Sequence, residues 1–217
     1  MSRFTANALL GFLLLGDALF IGADILQRVH VLHDTRFLVT HDRGFGEWFQ
    51  YCEAALSCFL LGQIGARRSS RTALTWAGLL ALVLADDALQ LHEHAGDVLA
   101  SLLGLHSFGA LRANQVGELI FYSVVGAGCL AALAAAWWRG DAEDRELSRR
   151  LFPWFAALGF CAVILDAADS LLRRTAWGVE FALLEDGGEM IVLSFLTASV
   201  WTAFERTRRH GGLTPRQ

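Results

Sequence analysis

Acidic and imidazole side chains occur inside the most apolar stretches of this sequence. The clearest case is LADDALQLHEHAG at residues 84–96, where two aspartates, a glutamine, two histidines and a glutamate end an apolar run. An ionisable side chain inside a membrane-spanning helix costs about 2.5–3.5 kcal/mol even on a lenient insertion scale. A concentration of such residues therefore indicates that they have a function or that their charges are compensated.

The same combination recurs in the other apolar stretches of the chain. Residues three, four or seven positions apart lie on one face of a helix, so Asp86, Gln90 and Glu93 are predicted to share a face. We therefore expect each helix to direct its carboxylates toward one centre. The acids inside the apolar stretches are Asp17, Asp24, Glu53, Asp86, Asp87, Glu93, Glu118, Asp166, Asp169, Glu185, Asp186 and Glu189.

Clustered carboxylates in a low-dielectric interior need compensation, because desolvation and mutual repulsion both disfavour their charged forms. A divalent metal would supply it. Carboxylates with imidazoles suit Zn, Fe or Mn, which we favour, and carboxylates alone would suit Ca. On a continuous helix His92 lies about 120° from Asp86, so the two share an ion only if the helix is distorted. The predicted metal ligands are Asp86, Glu93, Glu185, Glu189, Glu53, Asp166, Glu118 and His92.

A metal site of this kind suggests an enzyme. A metal-bound water, with Glu189 or Glu93 as the general base, would suit hydrolysis or oxidation of a lipophilic substrate. Arg173 and Arg174 would lie at the rim, where they are either ordinary interfacial arginines or contacts for an anionic headgroup.

Two other functions remain open. Intramembrane acids also serve in proton- or cation-coupled transporters, which need polar groups through the whole membrane thickness. Stretches such as VLSFLTASV at 192–200 offer no ionisable group. The third alternative is a structural or assembly subunit of a larger membrane complex, in which the acids hydrogen-bond neighbouring helices.

The elements that must position these residues are membrane-spanning helices. The chain is 54% hydrophobic and only 18% charged, which exceeds the apolar content of soluble domains. Its apolar runs approach the roughly 20 residues that cross a bilayer as a helix. We predict an all-α, six-helix membrane bundle forming one domain over residues 1–217, with spans near 8–27, 48–66, 73–94, 117–138, 153–172 and 181–203.

Arginine placement predicts the orientation of this bundle. All eighteen basic residues are arginines, and twelve of them lie in the two termini and in the 67–72 and 139–152 loops. The positive-inside rule then places both termini in the cytoplasm of a bacterial inner membrane, with most of the acids in the outer half. Because the basic clusters are explained by topology, no nucleic-acid partner is expected. The predicted partners are the bilayer and a lipophilic substrate, with a homo-oligomer or a larger complex left open.

A short internal similarity suggests a repeated unit. The predicted odd spans contain GDAL from Gly16, DDAL from Asp86 and LDAADS from Leu165, while the even spans carry Glu53, Glu118 and Glu189. Each of these glutamates is followed by a serine four or five residues later. The pattern predicts three helical hairpins packed around a central acidic site, although apolar helices resemble one another easily.

Two of the predicted helices carry a recognisable pattern. The spacing Asp86-Asp87-x4-His92-Glu93, with Glu185-Asp186-x2-Glu189, resembles uncharacterised bacterial polytopic membrane proteins in which an Asp-Glu-x4-His-Glu helix precedes a Glu-Glu-x2-Glu helix. The resemblance covers two of the six predicted helices. It implies a polytopic membrane protein and carries no function to this chain.

Overall fold

The apolar stretches fold as long helices. A computed structural model of the protein describes residues 5–109, 111–172 and 178–211, and these are 86% helical with no strand. The helices are α1 (Ala6–Arg28), α2 (Phe45–Arg68), α3 (Arg71–Leu89), α4 (Leu91–Leu103), α5 (Ala113–Arg139), α6 (Ala142–Phe160), α7 (Asp166–Leu172) and α8 (Gly178–Gly211). A 3₁₀ turn at Thr35–Phe37 follows α1, and a π-helical turn at Cys161–Leu165 joins α6 to α7.

Five helical segments in the described residues are long and apolar enough to cross a membrane. They are α1, α3, α5, the continuous stretch Ala142–Asp169, and Glu180–Arg209 within α8. Large apolar side chains on their outer faces are exposed, including Phe12 at 62% and Val124 at 69%. Exposed apolar faces of this extent suit contact with lipid. The chain is therefore consistent with a multi-pass membrane protein, and α2, which is more polar, lies outside this set of five.

Helix α8 is the centre of the bundle. It packs against α1, α2, α6, the π-helical turn and α7. Within its apolar window 44% of the residues are buried, compared with 6% for α5. The closest sequential pairs are α2 with α3 and α4 with α5, whereas α1 makes its main contact with α8. The arrangement gives no support to a threefold hairpin repeat.

One end of the bundle holds an apolar core. The second half of α2, the first half of α3, the start of α6 and the end of α8 contribute buried side chains that include Leu61, Trp76 and Leu196. The indole Nε1 of Trp76 donates to the Ser148 hydroxyl at 3.0 Å, which satisfies the polar atom of this buried ring. Apolar packing therefore closes this end, and the acids lie toward the other.

The predicted span at 73–94 is two helices and not one. Helix α3 ends at Leu89, and Gln90 adopts a left-handed conformation with φ 52° before α4 begins at Leu91. The Asp86 carboxylate accepts the backbone N–H of His92 at 2.9 Å, which gives the new helix start a side-chain acceptor. Because the chain turns at Gln90, Asp86 and Glu93 do not share a helix face, and that part of the sequence prediction is wrong.

Two glycines allow α4 and α5 to touch through their backbones. A Cβ atom added at Gly117 would lie 2.3 Å from the carbonyl oxygen of Gly96, and one added at Gly96 would lie 2.8 Å from the carbonyl oxygen of Asn114. Neither backbone atom can move without separating the helices. Small residues at such crossings permit close packing in a bilayer, where no hydrophobic force brings helices together.

We expect Gly117→Ala to destabilise the protein by about 1–3 kcal/mol, the usual cost of overpacking a tight contact. Thermal unfolding in detergent micelles, followed by circular dichroism, measures the change. Gly126→Ala on the same helix is the matched control, because a Cβ there meets no atom within 4 Å. Equal unfolding temperatures for Gly117→Ala and Gly126→Ala would contradict the close crossing.

Candidate functional site

A polar cavity of about 290 Å³ lies at the end of the bundle opposite the apolar core. Its walls come from the loop after α1, the first turns of α2, the α3–α4 junction, α5, the π-helical turn, α7 and the first half of α8. Nine of the lining residues are acidic, and no lysine or arginine is among the described residues that line it. The acids are Asp42, Glu47, Asp87, Glu93, Asp166, Asp169, Glu185, Asp186 and Glu189.

The loop between α1 and α2 is held over the cavity by Asp24. This side chain is fully buried at the end of α1, where it accepts the backbone N–H of Val39 at 2.9 Å and pairs with the Arg28 guanidinium. Val39 and the three residues after it line the cavity. Asp24 therefore does not line the site, but it places the loop that does.

Gln90 connects this loop to the junction between α3 and α4. Its side-chain amide donates to the Asp42 carboxylate at 3.2 Å and lies 3.5 Å from the Glu93 carboxylate. The left-handed backbone at Gln90 directs the amide toward both acids. A non-glycine residue held in this conformation carries a strain of about 1–3 kcal/mol, and such strain is often found at functional sites.

His92 is held by two neighbours on the cavity wall. Its Nδ1 lies 3.2 Å from the Asp86 carboxylate, and its ring stacks on Tyr122 of α5 with centroids 5.3 Å apart. Burial alone would lower the pKa of His92. The hydrogen bond that the ring donates to Asp86 and the charges of Asp86, Glu118 and Glu93 outweigh burial, and the pKa of His92 is raised above its usual value.

The π-helical turn precedes the two cavity aspartates of α7. The N–H of Asp166 bonds to the carbonyl of Cys161, five residues earlier, which is the π-helical pattern. Ala162 in this turn lines the cavity, as do Asp166 and Asp169. Single π-helical turns inside α-helices are frequent at functional sites, because they rotate the following residues relative to those before.

Three carboxylates in the cavity have no hydrogen-bond donor within the described part of the chain. Asp87, Asp186 and Glu189 line the wall, and none of them accepts a hydrogen bond from a residue that the structure describes. These carboxylates share one cavity without a described donor to offset their charge. Asp24 differs from these three acids, because an arginine and a backbone amide satisfy its charge.

Five of the eight predicted metal ligands line the cavity, namely Glu93, Glu185, Glu189, Asp166 and His92. The other three lie elsewhere. Asp86 reaches the cavity only through its bonds to His92, and Glu118 accepts from the Asn114 amide at 3.3 Å next to Gly96. Glu53 lies in a separate buried contact with Ser194.

Several lining residues were not among the predicted ligands. Asp87, Asp169 and Asp186 were recognised as intramembrane acids but not selected, because helical spacing alone does not say which of two adjacent acids faces inward. His41, Asp42, Glu47 and Gln50 lie in a loop or in the first turns of α2, and Tyr122 lies within α5; none of them had a periodic signal. The predicted rim residues Arg173 and Arg174 lie outside the described residues.

The described acidic and imidazole side chains of the cavity do not converge on one point. Within residues 5–109, 111–172 and 178–211, no three His, Cys, Asp or Glu side chains are close enough together to hold a metal directly. A space of about 290 Å³ is also larger than a single ion needs. The site can therefore hold a cation that keeps some of its water, with carboxylates as direct or water-mediated ligands.

Comparison with known proteins gives one family. Residues 48–203 match the family described as Domain of unknown function (DUF8692), which is more than half of the chain. The matched region runs from α2 to α8 and includes most of the cavity wall. No curated protein and no solved structure matches the chain.

The His92 pair gives a pH prediction. In metal-free protein, Asp86→Asn should lower the pKa of His92, because a neutral amide replaces the carboxylate that favours the charged ring. NMR titration of labelled histidine measures the shift. Since the pKa of His92 is raised, the pair stabilises the fold fully below the ordinary histidine value of about 6.5 and loses this effect as the pH rises through the folded value.

Asp97→Asn is the control for this titration. Asp97 is an exposed carboxylate on the same helix, so its removal should leave the His92 pKa unchanged. An unaltered His92 titration in Asp86→Asn would contradict the assigned role of Asp86.

Proposed function

The chain belongs to the DUF8692 family, and we propose that it is a multi-pass membrane protein whose acidic cavity binds divalent cations. The observation that carries the proposal is the trio of Asp87, Asp186 and Glu189, which line the cavity without a described hydrogen-bond donor. The six other acidic side chains in the same wall add to the negative field.

Electrostatics explains why this cavity favours a cation. Two like charges 4 Å apart repel by roughly 4 kcal/mol at the effective dielectric near a protein surface. Bringing several carboxylates together is therefore unfavourable unless protons or cations neutralise them. A divalent ion within the cavity offsets several of these repulsions at once, and the carboxylate and amide oxygens of the wall serve as its ligands.

The lining also bears on which cation binds. Zinc prefers a tight tetrahedral set of nitrogen and sulfur ligands, whereas calcium and manganese accept many oxygen ligands and water. Nine carboxylates, two imidazoles and no cysteine line a cavity wide enough for retained water. We therefore rank Ca²⁺ and Mn²⁺ above Zn²⁺ and Fe²⁺. From the sequence alone, Zn²⁺, Fe²⁺ and Mn²⁺ were favoured over Ca²⁺.

The proposal is a binding function. Glu93 and Glu189, predicted as general bases of a metal-dependent enzyme, are proposed here as cation ligands, since both line the cavity. The apolar core at the opposite end offers no polar route across the bundle among the described residues, which argues against a continuous pathway for ions. Neither an enzymatic reaction nor an assembly role has a specific structural observation in its favour.

We also propose that α2 is a sixth membrane span, with both termini in the cytoplasm of the inner membrane. Helix α2 has 24 residues and is about 36 Å long, which exceeds the roughly 30 Å hydrocarbon core. It packs along α3 and α8, both of which have the length and composition of spans. Of its polar residues, Gln50 lines the cavity and Glu53 is buried against α8.

Reporter fusions at the two termini test the number of spans. An even number puts both ends on one side of the membrane, so six spans predict cytoplasmic reporter activity at the N-terminus and at the C-terminus. Five spans would place the two reporters on opposite sides. Opposite sides would overturn the assignment of α2, and two outward-facing termini would overturn the orientation.

Cation binding is tested by calorimetric titration of the purified protein in nanodiscs with CaCl₂, MnCl₂ and ZnCl₂. We expect binding of Ca²⁺ or Mn²⁺ that Glu189→Gln and Asp87→Asn each weaken by about tenfold or more, since even indirect metal partners usually contribute that much. Each substitution keeps the side-chain shape and removes one charge.

Glu205→Gln provides the matched control on α8. Glu205 lies near the end of this helix, 3.6 Å from Arg208, and does not line the cavity. The Glu205→Gln variant should bind cations as the wild type does. Absence of binding for all three cations, or equal weakening by Glu205→Gln, would reject the cavity as a cation site.

A further inference from the structure

A second polar contact lies next to the cavity, between α1, α2 and α8. The Ser194 hydroxyl oxygen is 2.8 Å from a carboxylate oxygen of Asp17 and 2.8 Å from a carboxylate oxygen of Glu53. All three side chains are buried, with exposures of 0%, 1% and 2% for Ser194, Asp17 and Glu53. None of them lines the acidic cavity.

The hydrogen atoms available to this contact fix its protonation. A serine hydroxyl has one hydrogen, so Ser194 can donate to one of the two carboxyl groups and must accept from the other. A carboxylate has no hydrogen to give. If both groups were ionised, one of the 2.8 Å contacts would bring two lone pairs together. We propose that Asp17, Glu53 and Ser194 form a proton-binding site that holds at least one proton at neutral pH.

The remaining oxygens of the two acids support this assignment. Asp17 Oδ1 and Glu53 Oε2 are buried and have no hydrogen-bond partner among the residues that the structure describes. Neither acid forms an ion pair with a described arginine, whereas Asp24 pairs with Arg28 on the same helix as Asp17. Two buried carboxylates with unsatisfied oxygens and no cation are strongly disfavoured, and a bound proton removes one of the charges.

Other ionisable groups nearby do not replace the proton. The neighbouring ionisable side chains either have partners of their own, line the cavity, are cysteine thiols or, in the case of Glu180, are exposed. On α1, α2, α8 and the helices packed against them at this end, they are Asp24, Arg28, Glu47, Tyr51, Cys52, Cys58, Asp86, Asp87, Cys161, Asp166, Asp169, Glu180, Glu185, Asp186 and Glu189.

The site is closed on its far side and adjoins the cavity on the other. Beyond it, the hydroxyls of Ser57 and Thr197 bond to each other at 3.0 Å, and the apolar core with Leu61 and Leu196 follows. Toward the cavity, Gln50 lies one helical turn before Glu53 on α2 and lines the cavity wall. A proton can therefore be held here and exchanged with the cavity side, while the apolar core blocks its passage to the opposite end.

Infrared difference spectroscopy tests the bound proton directly. The full-length protein in nanodiscs at neutral pH is compared with Asp17→Asn/Glu53→Gln, which removes both acids and keeps their shapes. We expect the wild type to show at least one protonated carboxyl C=O band that is lost in the double variant and shifts in D₂O. Loss of carboxylate bands alone, with no protonated band, would overturn the proposal.

Two serine variants keep the test decisive if the double variant does not fold. Ser194→Ala retains both acids but removes the bridge, so the protonated band should change frequency, and Ser194→Thr should restore it. An unchanged band in Ser194→Ala would overturn the hydroxyl bridge. Asp97→Asn, which removes an exposed carboxylate, should leave the band as it is.

A small metal cation is the competing occupant. Replacing NaCl with choline chloride should leave the protonated band unchanged, and a new protonated band that appears only without Na⁺ would overturn the proposal in favour of sodium. The outcome is separable from the cavity function, because calorimetric Ca²⁺ or Mn²⁺ binding depends on Asp87 and Glu189 and not on this site.

Discussion

A carboxylate inside a membrane bundle persists only where another group offsets its charge, and the rest of this structure depends on that requirement. Asp24 meets it with Arg28 and a backbone amide. Asp144, at the opposite end, meets it with the Ser70 hydroxyl at 2.6 Å and lies 3.9 Å from Arg68. Among the cavity acids, Asp87, Asp186 and Glu189 accept no hydrogen bond from a described residue. The Asp17–Glu53 pair has only the Ser194 hydroxyl between its two carboxyl groups. These two groups of acids are therefore the ones for which we propose a bound cation and a bound proton.

The same requirement divides the bundle into two ends. Apolar side chains of α2, α3, α6 and α8 pack against one another at one end, where the polar side chains are few and hydrogen-bonded. At the other end the helices enclose a cavity of about 290 Å³, where acidic side chains from several of them meet. Helix α8 belongs to both ends and contributes to both environments. The buried apolar cluster is therefore concentrated at the end without the cavity.

Sequence periodicity predicted the helices well because long apolar runs have few alternatives in a membrane. It also brought Glu185 and Glu189 of α8, and Asp166 of α7, to the acidic centre, since local spacing within an unbroken helix defines a face. It did not locate the left-handed turn at Gln90, which depends on the Asp86 carboxylate accepting a backbone amide six residues later. The sequence also could not predict that Asp42 lines the cavity. The loop that contains Asp42 is positioned by the hydrogen bond between Asp24 and Val39, which are distant in sequence.

The uniform chemistry of the cavity wall limits how it can discriminate. A surface dominated by carboxylates attracts any positively charged solute, so attraction gives little selectivity among ions of equal charge. Selectivity must then come from how closely the wall can approach the ion and how much water it removes. That approach is restrained by two links, from Val39 to Asp24 and from Asp42 to Gln90. In the proposed cation site, ion preference therefore depends on residues that include Asp24, which lies outside the cavity and holds its loop without being a ligand.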